Sequence, residues 1–195
     1  MSIEEKKNLI TSYKSMDDLN DSQITNLNQL SQSNILRIKK ISFHKAKKFI
    51  LAIPELCSLH YTSLEYRKLK NSHPMKHHPI KPMRGEIYYI TLKESIGSEL
   101  QDNHLVIIMS NSQTNIYAEK VNVLPIEGDG KVVPTYLEQL TTADLEYGKL
   151  DKDPSRVIIP EPMTIDKARL GVRIGKVRKE KMDLISKKLK KQLNI

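Results

Sequence analysis

Residues 86–92 read EIYYITL, a run in which β-branched and aromatic residues predominate, as they do in β-strands. Three further runs of this kind follow: LVIIMS at 105–110, VNVLPI at 121–126 and VII at 157–159. Polar or glycine-containing loops separate the four runs. The second half of the chain is therefore predicted to form a small antiparallel sheet or barrel.

The chain ends on a predicted helix, from about Lys179 to Leu193. Its apolar residues recur at steps of three or four, which places them on one face of a helix, while lysines occupy many of the other positions. The apolar residues are Met182, Ile185, Leu189 and Leu193. We expect this helix to pack on the sheet through its apolar stripe, with the lysines turned outward.

The region ahead of the predicted strands has a different pattern. All seven glycines lie after residue 83, and because glycine marks turns, a long stretch without it favours helices. Apolar residues from Ile24 to Ile53 recur at steps of three to five with lysines between them, which predicts one or two amphipathic helices. Pro54 is expected to end or kink this run, and Pro54–Lys70 is predicted to form a further helix.

Residues 71–82 read NSHPMKHHPIKP, and the three prolines in this stretch predict a linker, because proline cannot continue a helix or a central strand. The predicted organisation is a basic helical region at 1–70, a linker rich in proline and histidine at 71–82, and a folded domain at 83–195. The linker histidines have no carboxylate or thiol close by in sequence, so we expect no metal site there.

The positive charge is unevenly distributed along the chain. The net charge is +9; residues 1–83 hold 14 Lys and Arg against 7 Asp and Glu, and residues 84–195 hold 18 against 16. A basic region of this kind favours a polyanion through counterion release, although a basic helix can also bind an acidic protein or remain solvated. The sequence leaves these alternatives open.

Composition narrows the class of protein. No apolar run approaches the roughly 20 residues needed to cross a bilayer, so we expect no membrane partner. The first residues lack the apolar core of a secretory signal. A single cysteine, Cys57, excludes an internal disulfide framework and leaves too few thiolates for a structural zinc site. We therefore expect a cytoplasmic protein.

Four motifs follow one another in a recognisable order: RGEIYYITL at 84–92, IGSE at 96–99, LVIIMSN at 105–111 and TIDKARLG at 164–171. Their order and spacing resemble those of the MazF/PemK toxins. Such toxins typically open with Arg-Gly-Asp/Glu and an aromatic strand, continue through Gly-Ser-Glu into a hydrophobic strand, and later show Arg-Thr-Ile-Asp-Lys before a C-terminal helix. The resemblance extends from about Met83 to Ile195.

The resemblance implies a fold and a set of partners. The fold would be α+β: an SH3-like small β-barrel of the MazF/PemK/CcdB type with a C-terminal helix, preceded here by an α-helical N-terminal region. Family members resemble one another in forming a homodimer whose interface groove takes single-stranded RNA, and they cut it without a metal or another cofactor. The resemblance thus implies an endoribonuclease toxin whose groove a cognate antitoxin occupies.

The resemblance also identifies candidate catalytic residues. In this reaction the 2′-hydroxyl attacks the adjacent phosphorus, so the site needs a base, an acid and a group that stabilises negative charge. Family members typically use an Arg after Gly-Ser-Glu and a Thr at the end of the third strand, but the resemblance places His104 and Glu127 at those positions and Met163 at that of a later Arg. With the loop shifted by one residue, His104 instead matches a histidine that precedes the Arg in some members, and no arginine appears under either alignment. His104 and Glu127 are a candidate acid–base pair. Alternatively, His104 is an ordinary loop residue and Glu127 begins a turn.

Five further residues match the family at positions expected to contact RNA: Arg84, Ser98, Glu99, Thr164 and Lys167. Ser98 can donate a hydrogen bond to phosphate, and Glu99 can hold the loop in shape. The alternative for Thr164 and Lys167 is a structural role at a loop end that Asp166 stabilises before the final helix.

Two other functions remain open at this stage. The first is a catalytically degenerate MazF/PemK-fold protein that uses its barrel and basic helices to bind nucleic acid or protein. The second is a gyrase poison like CcdB, whose fold the family shares, although no feature of the sequence supports it.

Overall fold

The computed structural model describes residues 19–38, 40–93, 95–128, 133 and 135–195. Residues 1–18 of the predicted helical region lie outside this description. The chain divides into two compact units, with the division between Lys47 and Lys48.

Two helices precede the sheet. Helix α1 spans Asp21–Arg37 and begins with a capping box, in which Asn20 and Gln23 each accept a hydrogen bond from the other's backbone N–H at 2.9 Å. Helix α2 spans Phe43–Ser72. The predicted helical character of this region is confirmed for the residues described.

The prediction that a separate helix begins at Pro54 is wrong, because α2 is continuous from Phe43 to Ser72 with Pro54 inside it. Proline has no N–H to donate to the carbonyl of Ile50, four residues earlier. Pro54 and Ile50 are both exposed, so water can reach this part of the helix and hydrate that carbonyl. A proline on the exposed side of a helix is therefore compatible with its continuation.

The second unit is built on one antiparallel sheet of eight strands that curls on itself, in the order β4-β6-β3-β2-β1-β8-β5, with β7 also paired to β3. The strands are β1 (Glu86–Thr91), β2 (Asn103–Ile108), β3 (Lys120–Glu127), β4 (Leu137–Leu140), β5 (Leu145–Gly148), β6 (Ser155–Ile158), β7 (Met163–Asp166) and β8 (Leu170–Val177). A short helix α3 (Ser112–Asn115) follows β2, and α4 (Lys179–Leu193) ends the chain. The predicted α+β class, with N-terminal helices and a C-terminal helix, is confirmed.

Side chains alternate between the two faces of the sheet. The first face carries residues such as Ile107 and Leu124, and Met182 and Ile185 of α4 are buried in the same cluster. The predicted apolar stripe of α4 therefore packs on the sheet, although Leu193 at its end remains exposed. The second face carries another buried cluster: Tyr88, Ile90, Val106, Ile108, Val121, Val123, Ile165 and Leu170.

A buried carboxylate lies where β1 begins. Glu86 is 1% exposed, and its Oε2 accepts hydrogen bonds from the Met83 N–H at 2.8 Å and the Tyr88 hydroxyl at 3.0 Å. Its Oε1 accepts from Arg173 Nη1 of β8 at 2.6 Å. Burial raises the pKa of Tyr88, and so does the neighbouring Glu86 charge, so its hydroxyl remains a donor. The motif Arg-Gly-Glu thus supplies a charge that joins β1 to β8.

Residues 71–82, the predicted linker, pack closely against the sheet and the residues of and after α3. The His78 N–H donates to the Ile116 carbonyl at 2.7 Å, Ile80 packs against the second face, and the Pro82 carbonyl accepts from Asn115 Nδ2 at 2.8 Å. Residues 71–82 lie within the second compact unit. A domain boundary at this stretch stays a prediction.

His78 is buried in this packed segment, with 2% of its surface exposed and its ring edge-on to Tyr66 at 5.4 Å between centroids. Burial lowers the pKa of His78 to about 4, and the nearby charge of Lys167 acts in the same direction. The ring is therefore neutral in the folded protein at neutral pH. Its Nδ1 accepts a hydrogen bond from the Ile80 N–H at 3.0 Å.

Acidification is expected to destabilise the protein through His78. Between pH 6.5 and 4 the unfolded chain binds a proton at this ring that the folded protein does not, so stability is lost as pH falls through this window. Urea unfolding should show a loss of about 2 kcal/mol from this residue between pH 7 and pH 5. His78→Asn, whose amide oxygen can replace Nδ1 as acceptor, should lose less over the same range, whereas His60→Asn on exposed α2 should behave as wild type. Equal pH dependence in wild type and His78→Asn would contradict this assignment.

No helix among the described residues is long and apolar enough to cross a membrane.

Candidate functional site

His104 and Glu127, the two predicted catalytic residues, lie side by side at one end of the β2–β3 ladder. The last pair of this ladder is Leu105 with Ile126, and His104 and Glu127 are the next residues on their strands. Alternation places His104 on the same face as the buried Val106. Both side chains are half-buried, so each keeps a surface open to solvent. Two residues 23 positions apart in sequence are thereby neighbours.

An arginine from a third strand completes this group. Arg156 of β6 is the register partner of Glu127, and its Nη2 and Nε donate to Glu127 Oε2 at 2.6 and 3.2 Å. The Arg156 side chain is 23% exposed and that of Glu127 33%. The ion pair is therefore fixed by the sheet and still accessible from outside.

The three side chains occupy successive positions in one row across the sheet, which we call the polar row: His104 on β2, Glu127 on β3 and Arg156 on β6. Adjacent strands are about 4.8 Å apart, so the backbone positions of His104 and Arg156 are roughly 10 Å apart with Glu127 between them. Ile90 precedes the row as the partner of His104, and Gln139 follows it as the partner of Arg156. Arg156 was not among the predicted site residues, although it directly precedes the predicted strand at 157–159.

The loop between β1 and β2 carries the predicted RNA-binding residues Ser98 and Glu99. Glu99 Oε2 accepts from the Ile96 N–H at 3.1 Å, and the Glu99 carbonyl accepts from Ser95 Oγ at 2.9 Å. Gly97 has a φ of +58°, in the left-handed region that glycine adopts without steric cost. Glu99 therefore stabilises a turn, while Ser98 at its tip is exposed.

Helix α2 contacts the base of this loop. Two backbone hydrogen bonds close the base: the Leu92 N–H donates to the Asp102 carbonyl at 3.0 Å, and the Asp102 N–H donates to the Lys93 carbonyl at 3.2 Å. On α2, Glu55 pairs with Lys93, and Lys48 lies 3.7 Å from Asp102. The loop is thus attached to α2 two residues ahead of His104.

Arg84 and Thr164 lie elsewhere, in an open cleft of about 430 Å³ between the sheet and α4. The Arg84 guanidinium donates to the Met109 carbonyl and to Ser186 Oγ, the latter at 2.8 Å. Thr164 Oγ1 donates to Asn122 Oδ1 at 2.8 Å. Asn122 lies five residues before the end of β3, about 16 Å along the strand from the polar row. The structure does not bring these two residues to His104.

Lys167 does not face solvent, which argues against the RNA contact expected from the sequence. Its side chain is 0% exposed, and its Nζ donates to the carbonyls of Ile80 at 2.9 Å and Asn115 at 2.5 Å. Burial lowers the pKa of Lys167 to about 8, with a further contribution from the charge of Lys70. The alternative role weighed for this residue, in holding a loop end, fits these contacts, and we do not include Lys167 among the residues proposed to bind RNA.

A protein-family model described as "PemK-like, MazF-like toxin of type II toxin-antitoxin system" matches residues 83–193 of the chain. The match spans all eight strands and α4. A comparison with curated protein sequences gave no match.

Several solved structures are similar to the chain. One is an endoribonuclease from a mycobacterial species, at 21% identity and a TM-score of 0.47, covering 60% of this chain and 94% of that one. Another is an endoribonuclease in complex with its cognate antitoxin, also mycobacterial, at 21% identity and a TM-score of 0.44, covering 59% and 95%. A third is MazF from Deinococcus radiodurans, at 14% identity and a TM-score of 0.48, covering 60% and 99%.

Proposed function

Because the chain belongs to the family of PemK-like, MazF-like toxins of type II toxin–antitoxin systems, we propose that it cuts single-stranded RNA as a metal-independent, sequence-selective endoribonuclease. The observation that carries this proposal is that His104, near the start of β2, and Glu127, at the end of β3, lie next to each other on one face, one residue beyond the register pair Leu105 and Ile126. They replace the Arg and Thr that the family resemblance places there. Their chemistry suits proton transfer, which this cleavage requires twice.

The proposed roles of His104 and Glu127 follow from the protons that each side chain can accept or donate. A carboxylate can accept the proton of the 2′-hydroxyl as it attacks the phosphorus, and an imidazolium can give a proton to the departing 5′-oxygen. Glu127 and His104 are lateral neighbours on adjacent strands, so one phosphodiester can contact both. Ser98, at the exposed tip of the β1–β2 loop, is proposed to donate a hydrogen bond to a phosphate of the same strand. Arg84 and Thr164 lie in the cleft beside α4, and they are proposed to contact nucleotides farther along the RNA.

We also propose that the protein acts in the cytoplasm as a homodimer and is inhibited by a cognate antitoxin. Membership in a family of type II toxins supports the antitoxin. Light scattering on the full chain at tens of micromolar is expected to give twice the 22.4 kDa of one subunit. A monomer at that concentration would contradict the proposed dimer, since an interface groove needs both subunits.

The test of the proposed function is incubation of the purified full-length protein with long single-stranded RNA in EDTA. Discrete fragments with 2′,3′-cyclic phosphate and 5′-hydroxyl ends are expected, because attack by the 2′-hydroxyl leaves those ends. Intact RNA together with measurable RNA binding would instead favour the degenerate binding protein. The Glu127–Arg156 ion pair gives that alternative some support, since a carboxylate paired with an arginine can have a purely structural role.

A further inference from the structure

We propose that Arg156 is a catalytic residue of the RNA cleavage proposed above, on which this inference rests, and that it supplies the positive charge that His104 and Glu127 alone do not provide. The family resemblance leads us to expect arginines at the positions of His104 and Met163, and neither is present. The structure assigns the missing cation to a different strand, β6.

The position of Arg156 suits this role. Arg156 is the register partner of Glu127, which in turn neighbours His104, so the three lie in one row on one face. An arginine side chain is longer than the roughly 4.8 Å between neighbouring strands. A phosphodiester over Glu127 would therefore lie within reach of the groups on both sides.

The charge of Arg156 also suits this role. A carboxylate beside a phosphate costs repulsion unless a cation offsets it. Arg156 binds Glu127 through Nη2 and Nε at 2.6 and 3.2 Å, and its guanidinium carries a planar set of N–H donors that matches phosphate oxygens. The side chain is 23% exposed, so an incoming phosphate can approach it. The arginine thus offsets the negative charge of Glu127 and remains accessible to an incoming phosphate.

The reaction balances with these three groups. The bond between the 2′-oxygen and phosphorus forms while the bond between phosphorus and the 5′-oxygen breaks. The proton of the 2′-hydroxyl goes to Glu127, and the His104 imidazolium gives a proton to the 5′-oxygen. Arg156 donates hydrogen bonds to the non-bridging oxygens, where negative charge increases in the transition state. The products are a 2′,3′-cyclic phosphate and a 5′-hydroxyl.

A second basic residue nearby needs to be distinguished from Arg156. The side chain of Lys152 lies against Gly128, so closely that a Cβ on Gly128 would be 2.2 Å from it. Gly128 directly follows Glu127. Lys152→Gln therefore belongs in the test beside Arg156→Gln.

The experiment measures single-turnover cleavage of RNA in EDTA by full-length wild type, Arg156→Gln, Arg156→Lys and Lys152→Gln. The matched control is Arg67→Gln, because Arg67 of α2 also pairs with a glutamate, Glu119, at 3.0 Å, away from the polar row. Binding to a 2′-O-methyl oligonucleotide of the same sequence, which cannot be cut, is measured in parallel. Thermal unfolding shows whether each variant folds.

Arg156→Gln is expected to lower the cleavage rate by about 100- to 1,000-fold, because one aligned donor to the transition state typically contributes that much. Binding of the uncleavable oligonucleotide should weaken much less, by about 10-fold or under, whereas a residue that only binds RNA would lower both together. Arg156→Lys keeps the charge without the planar fork and should lose about 10-fold or more. Arg67→Gln should cleave as wild type does.

Two results would overturn the assignment while leaving the proposed function in place. One is a folded Arg156→Gln variant that cleaves within about threefold of wild type, the limit below which a transition-state contact is negligible. The other is a large loss in Lys152→Gln with none in Arg156→Gln. If Arg156→Gln does not fold, an unchanged rate in Arg156→Lys counts against the assignment. Wild-type protein that leaves RNA intact would overturn the proposed function and the inference with it.

Discussion

Replacing His104 with alanine is expected to lower RNA cleavage by roughly 100- to 10,000-fold, the usual contribution of a general acid or base. The reason is its place in the polar row, beside Glu127 and at the position of the family arginine. Alanine cannot transfer a proton to the departing oxygen, so the variant should keep none of this contribution. The loss should therefore appear in the cleavage step rather than in RNA binding. Single-turnover rates and binding of an uncleavable oligonucleotide separate the two.

A matched control for this variant is His60→Ala, which removes an exposed imidazole on α2. It should cleave at the wild-type rate. Glu127→Gln should show a loss comparable to that of His104→Ala if the two residues act as a pair, because catalytic groups that work as a unit are not additive. A His104→Ala variant that retains activity would show that cleavage depends on other residues.

Replacing Glu86 with alanine is expected to lower the free energy of unfolding by about 3 kcal/mol, the sum typical of stranding buried hydrogen-bond donors and breaking a partly buried ion pair. Three groups lose their acceptor in this variant: the Met83 N–H, the hydroxyl of buried Tyr88 and the Arg173 guanidinium. Because Arg173 belongs to β8 and Glu86 to β1, the change also weakens the link between these strands. Urea unfolding at pH 7 measures it.

The control is Glu146→Ala, since Glu146 also pairs with a cation of β8, Lys176, at 2.7 Å. Its carboxylate is 40% exposed, so water replaces the lost contact and the cost should stay below about 1 kcal/mol. Equal losses in the two variants would show that the burial of Glu86 does not decide its contribution.

The elements predicted best are those whose own sequence carries a strong local signal, either a helical period or a run of strand-forming residues. Helix α4 was predicted at its observed bounds, because its apolar stripe and lysines alternate with a helical repeat. Strand β1 was predicted to within one residue from its β-branched and aromatic residues. Strands β4, β5, β7 and β8 were missed: the first three have only four residues each, too few to show a period, and β8 carries two glycines, which strands disfavour. Pro54 misled the prediction because exposure, which the sequence does not reveal, made it tolerable within α2.

Only part of the candidate site could be predicted from the sequence, because the rest depends on which strands pair. The motifs pointed to His104 and Glu127, which lie on neighbouring strands: His104 directly precedes one strand that the sequence identifies, and Glu127 directly follows another. Arg156 was not found, because its place beside Glu127 depends on β6 pairing with β3 rather than with another strand. For Lys167 the sequence left an RNA contact and a structural role at a loop end open, and the buried contacts of its ammonium with the Ile80 and Asn115 carbonyls fit the structural role. The outcome for each residue was decided by which chain segment covers or pairs with it.

The sequence by itself determined the family, the α+β class and the residue types available for RNA cleavage, because motifs and periodicity are local properties written in short stretches of chain. Only the tertiary structure decided which of those residues share a surface. Strand pairing brings Arg156 to Glu127 across 29 positions and Arg173 to Glu86 across 87. Such contacts follow from sheet order and register, which are set by the burial of both faces at once. For this reason a lysine and an arginine of equal charge ended in opposite places, Lys167 inside the fold and Arg156 in the proposed active site.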